Sequence, residues 1–138
     1  MSFLLDTNVL SEMRRPVPNA GVAAWFDSVE SRQLYLSVLT LGEIRQGICR
    51  LQRRDQAQAA VFGRWLGGLL HAYSDRVVPI TAEVAEEWGR LNVPDPVPVV
   101  DGLLAATAKV HGWTLVTRNI SDVANTGARL LNPFTGAR

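Results

Sequence analysis

One cysteine, Cys49, stands in the whole chain. That scarcity excludes an internal disulfide and any zinc cluster built from cysteine thiolates, and it makes a reducing cytoplasm the expected compartment. Long hydrophobic runs are missing too. The longest stretch free of Asp, Glu, Lys and Arg is Pro16 to Phe26, 11 residues. A membrane-spanning helix needs about 20, so no membrane association is expected. The opening Met-Ser-Phe-Leu-Leu-Asp has no basic segment and reaches an acid at position 6, which does not read as a signal peptide. Nor does one sign of charge dominate. Fourteen basic residues face 13 acidic ones, a net charge of +1, and that balance alone points to no polyanionic partner. Lysine is nearly absent, Lys109 being the only one among the 14 basic residues. An arginine-rich set suits bidentate phosphate recognition, and codon bias in the source would produce it equally well.

What is present is the make-up of a folded protein: 47% hydrophobic and 20% charged residues over a length of 138. Such a chain can bury a core without disulfides or a structural metal, and residues 1–138 are expected to form a single domain. There is no internal repeat, low-complexity tract or linker. Phe3-Leu4-Leu5 reads as a short strand meeting helix-start residues at Asp6-Thr7-Asn8. Residues 34–37 repeat the plan and run into Thr40 and a helical stretch through about Leu51. Residues 77–80 read as a third strand, with Thr81 capping a helix to about Arg90. Pro94, Pro96 and Pro98 interrupt the chain before a helix from about Val99 to His111, stopped by Gly112. Thr114 to Thr117 reads as a fourth strand and Arg129 to Leu131 as a fifth. A long helix over about 55–72 places Phe62, Trp65, Leu66, Leu69 and Leu70 on one broad face. Trp25, Trp65, Trp88 and Trp113 are expected in the core or an interface.

Strands that are continuously apolar and alternate with helices imply an α/β fold in three layers, a parallel sheet covered on both faces. Ligands in such folds collect at the carboxyl edge of the strands. Four acids fall there: Asp6 after the first strand, Glu43 early in the helix after the second, Asp101 early in the helix after the prolines, and Asp122 past the fourth strand. Each has a local explanation. Asp6 could cap a helix, Thr40-x-x-Glu43 fits a capping box, Asp101 suits a helix N-terminus, and Asp122 could make an Asx-turn. Gathered at one edge, however, four carboxylates repel and their pKa values rise unless a cation compensates. An all-oxygen set without nearby His or Cys suits a hard divalent ion, Mg²⁺ or Mn²⁺. Thr7, Asn8, Thr117 and Asn119 supply short polar groups to orient those carboxylates. A metal so held leaves room for water and substrate phosphate, which is the chemistry of phosphodiester hydrolysis. Cutting RNA through its own 2′-hydroxyl would need a histidine acid–base pair. The two histidines, His71 and His111, stand away from every motif, and His111 reads as a helix C-terminal residue.

Four segments carry a family resemblance: Leu4-Leu5-Asp6-Thr7-Asn8-Val9-Leu10, Thr40-Leu41-Gly42-Glu43-Ile44, Asp101 through Ala108, and Val116-Thr117-Arg118-Asn119-Ile120-Ser121-Asp122. In order and spacing the chain resembles the PIN-domain ribonucleases, and among them the VapC-type toxins of bacterial toxin–antitoxin pairs. It is most similar to their FitB-like branch, which the terminal Leu131-Asn132-Pro133-Phe134 also resembles. The resemblance implies a Mg²⁺- or Mn²⁺-dependent endoribonuclease leaving 5′-phosphate and 3′-hydroxyl ends, with Asp6, Glu43 and Asp101 as metal-binding, catalytic acids. At the fourth position many relatives have Asp where this chain has Asn119, so either Asp122 completes the site or Asn119 supplies a neutral ligand. The resemblance further implies a homodimer and a cognate antitoxin that covers the groove and binds operator DNA. The apolar face from Phe62 to Leu70 is a candidate antitoxin or dimer surface, or simple core.

Arg14 and Arg15, expected near the acidic edge, and Arg45, two residues after Glu43, are candidates to hold RNA phosphates. Arg50, Arg53 and Arg54 either extend that rim or form a solvated helix face. Two rival functions remain open on sequence. One is aspartyl-phosphate transfer through Asp6, disfavoured by Asn8 where a second Asp would be wanted and by Lys109 being two turns from Asp101. The other is a non-catalytic dimeric module that complexes a DNA-binding repressor, its acids only capping helices.

Overall fold

The structure is a computed structural model and describes residues 1–136. Five short strands, β1 (Phe3–Leu5), β2 (Leu34–Ser37), β3 (Val77–Val78), β4 (Thr114–Val116) and β5 (Arg129–Leu131), form one sheet in the order β3-β2-β1-β4-β5. Every neighbouring pair is parallel, with Leu4 opposite Tyr35 on one side and Leu115 on the other. Between them run α1 (Thr7–Met13), α2 (Ala20–Ser28), α3 (Val38–Gln52), α4 (Gln56–Ala72), α5 (Ala82–Leu91), α6 (Val99–His111) and α7 (Ile120–Val123). Among the described residues, no helix is long and apolar enough to cross a membrane.

The alternation of side chains along a strand divides the core in two. Phe3 and Leu5 face a cluster with Val9 and Leu10 of α1, Val22 of α2, and Leu34, Leu36 and Val116. Leu4 and Leu115 face the other way, onto Leu104, Ala105 and Ala108 of α6 and Val123 of α7. Each fully buried leucine contributes about 1.5–3 kcal/mol, so the two clusters hold the three layers the sequence predicts. The alanines let α6 lie close on the sheet. At its first turn Gly102 is buried, and a Cβ there would stand 3.2 Å from Cδ1 of Trp88 on α5. A third cluster, Ile44, Ile48, Ala59 and Leu66, joins α3 to α4.

Several boundaries differ from the sequence reading. Helix α3 begins at Val38, because Ser37 ends β2 and accepts the Leu39 N–H at 3.1 Å. Thr40 therefore lies inside the helix, buried, and makes no capping box. β3 ends at Val78, before Pro79, and Thr117 lies one residue past β4. Asp122 sits within the short helix α7 rather than an Asx-turn. Leu66 is buried as expected of its face, whereas Leu70 is 40% exposed. Helix α2 was not anticipated. The helix from Val99 to His111 is found as read, and Gly112 closes it with φ 73°.

Asn19 caps α2 and also fastens the far end of the chain. Its Oδ1 accepts from Gly21, Val22 and Thr135 backbone N–H groups, and its Nδ2 donates to the Thr135 carbonyl at 2.8 Å. The segment after β5 is thus a hook laid across the start of α2. Gly21 permits the close approach, since a Cβ there would collide with the Pro133 carbonyl and the Thr135 side chain. Gly21→Ala is expected to lower stability by about 1–3 kcal/mol, read from the urea midpoint. An unchanged midpoint would mean the hook is not seated there.

Candidate active site

The strand order reverses between β1 and β4, and in open parallel sheets the crevice outside such a reversal is where ligands bind. Asp6 stands at the carboxyl end of β1 and Thr117 at the end of β4, on the two lips of that crevice. The Asp6 backbone N–H donates to the Val116 carbonyl at 2.9 Å, so the residue continues the ladder before turning into α1. Its carboxylate is 5% exposed. Oδ1 accepts the Thr7 N–H at 2.7 Å, and Oδ2 accepts the Thr117 hydroxyl at 2.7 Å and the Asn8 amide at 3.4 Å. The cap explanation for Asp6 is therefore true and incomplete, because the second oxygen is held by Thr117, 111 residues away. Burial pushes the Asp6 pKa up and the Glu43 charge adds to that, while the donors from Thr117, Thr7 and Asn8 oppose it.

Glu43 reaches across from α3, its Oε1 accepting the Thr7 hydroxyl at 2.6 Å. Asp101 lies in the first turn of α6. Burial, then the charges of Asp6, Asp122 and Glu43 in that order, push its pKa up to about 6. Asp101 thus feels the charges of the other three predicted acids, and Asp6 that of Glu43; among the described residues none of the four forms a salt bridge. They share a field without yet converging: among the described residues no three His, Cys, Asp or Glu side chains stand at ion-holding spacing. Four oxygen donors without a counter-charge, two of them with raised pKa values, fit a hard divalent cation. Asn119 caps α7 only by position, making no side-chain capping bond, and its backbone N–H donates to the Thr117 hydroxyl at 3.0 Å.

The basic candidates lie farther out. Arg14 and Arg15 follow the last turn of α1, about 12 Å along the helix axis from Asp6, rather than at the acidic edge itself. Arg14 lies over Phe62 of α4 at 3.9 Å, and with Ser11, Arg15, Pro16 and Phe62 it lines a cavity of about 450 Å³. Arg15 stands 3.5 Å from Glu12. Arg45 is exposed on α3, two residues after Glu43 and so turned to another side of the helix. Lys109 points away from the acids, tied to Glu87 at 2.7 Å and to the Thr126 carbonyl at 2.8 Å, so it offers no phosphate clamp near Asp6. His111 ends α6 and stacks on Trp113. Sequence reasoning passed over Arg118, whose backbone N–H donates to Asn8 Oδ1 at 3.3 Å. Its position directly after Thr117 was the available signal.

The raised Asp101 pKa has a sign that can be checked. A carboxyl near 6 in the folded chain and near 3.8 when unfolded keeps its proton longer in the folded state. Stability is therefore lost as pH rises from about 4 to about 6, and the loss persists above. Asp101→Asn cannot suffer it. In metal-free buffer, the melting temperature of Asp101→Asn minus that of the wild type is expected to grow with pH across this window. A pH-independent difference would refute the shared field.

The PIN-domain family model matches residues 3–124. Toxin FitB of Neisseria gonorrhoeae is 32% identical over 137 residues, covering 96% of this chain and 98% of that protein. VapC ribonuclease Y4jK of Sinorhizobium fredii is 32% identical over an alignment of 143 residues, covering 98% and 99%. The crystal structure of FitAcB from Neisseria gonorrhoeae superposes with a TM-score of 0.88 at 33% identity, over 95% of this chain and 97% of that one. With the sheet order, the acids at its carboxyl edge and these likenesses in hand, the chain belongs to the PIN-domain family.

Proposed function

We propose that this chain is the toxin of a type II toxin–antitoxin pair, an endoribonuclease dependent on Mg²⁺ or Mn²⁺. The observation that carries the reading is Asp101, driven to a pKa of about 6 by burial and three neighbouring acids, with no salt bridge to any of the four among the described residues. Asp6, Glu43, Asp101 and Asp122 would hold the ion, Asn119 being the alternative fourth ligand. A divalent ion there would supply an activated water and offset charge on the phosphate. The chain's own residues supply alignment. Thr117 fixes one oxygen of Asp6, Thr7 fixes Glu43 while its backbone N–H fixes the other oxygen of Asp6, and Asn8 ties α1 to the turn after β4. Arg14, Arg15 and Arg45 would hold RNA phosphates, the first two lining the cavity over Phe62.

The 138 residues act as one domain, two copies pair, and a cognate antitoxin covers the groove and carries the pair to operator DNA. Relatives support this part: solved structures are described as FitAB bound to a DNA fragment, at 31% identity, and as FitAcB.

The test is purified, antitoxin-free protein with total RNA in Mg²⁺, Mn²⁺ or EDTA. Discrete fragments with 5′-phosphates are expected, lost in EDTA and reduced at least about 100-fold by Asp6→Asn or Asp101→Asn, more than the loss usual for partners of metal ligands. Full cleavage by Asp101→Asn would overturn the assignment, and a phosphoaspartate trapped on Asp6 would replace it. Thr117→Val, which deletes the hydroxyl on Asp6, is expected to cost about 10–100-fold in metal affinity or rate, measured by Mn²⁺ titration and initial rates. No loss would remove Thr117 from the site.

A further inference from the structure

The hook formed by residues 132–135 is one of the segments the sequence singles out, and the reading above gives it no task. It carries Phe134, and the guanidinium carbon of Arg118 stands 4.7 Å from that ring's centroid. The hook is held by both ends of the Asn19 amide, by Thr135 Oγ1 accepting from Gly21 at 3.1 Å, and internally by Asn132 Oδ1 accepting the Phe134 N–H at 3.0 Å. Pro133 within it is buried. Phe134 is thus a fixed platform rather than a loose terminal side chain.

Arg118 leaves β4 between Thr117, which holds Asp6, and Asn119, and its own N–H is bonded to Asn8. An arginine so placed has the site's acids as its obvious partners. Among the described residues it pairs with none of them, and the charges acting on Asp101 are Asp6, Asp122 and Glu43 only. Its guanidinium instead lies over the Phe134 ring. A guanidinium held over a ring loses rotamers but keeps its N–H groups for hydrogen bonds, and those can take a phosphate bidentately with little further loss of freedom.

We propose that Arg118, laid on Phe134 by the hook, binds a backbone phosphate of the RNA next to the one that is cut, with Phe134 as its positioning residue. This rests on the ribonuclease reading. It also accounts for a hook fastened 116 residues away in sequence: the segment seats the ring that aims the arginine.

The experiment uses the full chain carrying Asp101→Asn to prevent cleavage, in EDTA, with a fluorescein-labelled mixed-sequence single-stranded RNA of about 20 nucleotides over a salt series. Adding Arg118→Ala is expected to weaken binding roughly tenfold or more and to flatten the slope of log K against log salt by about 0.7, the value of one phosphate contact on a single strand. Arg118→Lys keeps the slope and recovers affinity only in part, since it keeps the charge and loses the fork. Phe134→Leu weakens binding without changing the slope, and Phe134→Tyr restores it. Urea midpoints of all variants separate these effects from unfolding. Unchanged affinity and slope in Arg118→Ala, while wild type still cuts total RNA, would overturn the proposal and leave the ribonuclease reading intact. If wild type cuts no RNA and the silenced protein binds none, both fall together.

Discussion

Burying a carboxylate at the reversal point of a parallel sheet sets conditions on everything around it. An ionised group removed from water must receive hydrogen bonds or lose its charge. Asp6 receives three, from its own helix start, from Asn8 and from the hydroxyl of Thr117 just past the neighbouring strand. Each requires a particular element in a particular place. The Thr7 N–H is free to donate because it opens α1. Thr117 is in reach because β4 pairs with β1 in the register Leu5 to Val116, which brings the residues after each strand side by side. Asn8 then bonds to Arg118 and closes the turn.

The neighbouring charges are arranged so that neither sign cancels the other. Asp101 and Asp6 both carry raised pKa values, and neither Arg118, one residue past Thr117, nor the more distant Arg14 relieves them. Arg14 lies over Phe62 and Arg118 over Phe134. Such a choice is energetically accessible, because an exposed ion pair is worth only about 0–1 kcal/mol and a guanidinium over a ring about 0.5–2 kcal/mol. On the proposed function, such an arrangement leaves the acids for a cation and the arginines for a polyanion. Direct pairing of the same residues would have left a neutral patch with affinity for neither.

The parts of this arrangement that sequence can reveal are those fixed by local chemistry. The helix from Val99 to His111 is readable because Pro98 precedes it and Gly112 supplies the left-handed stop. The acids at one edge are readable because strand-then-helix alternation sends every strand end to the same side. Where a pattern has two local solutions the sequence misleads. Thr40-x-x-Glu43 satisfies the capping-box spacing, but Ser37 is already free at the end of β2, so it takes the cap and Glu43 turns to Thr7. Helix α2 hides because Ala20–Ser28 has no clear polar face, although Asn19 caps it through the Gly21 and Val22 N–H groups. The distances between carboxylates are equally hidden, since they depend on how closely the alanines of α6 let that helix approach the sheet.

The same long-range dependence makes the site a property of the finished chain. Asp6 and Thr7 are synthesised first, yet the hydroxyl that orients Asp6 arrives at position 117 and the ring beneath Arg118 at position 134. Contacts that join the two ends of a chain form late, because loop closure is costly until the intervening elements have folded. Until Thr117 is in place, Asp6 lacks the side-chain donor that most strongly opposes the effect of its burial. For a protein whose proposed substrate is RNA, that order of assembly keeps the reacting edge incomplete until β4, β5 and the hook are in place.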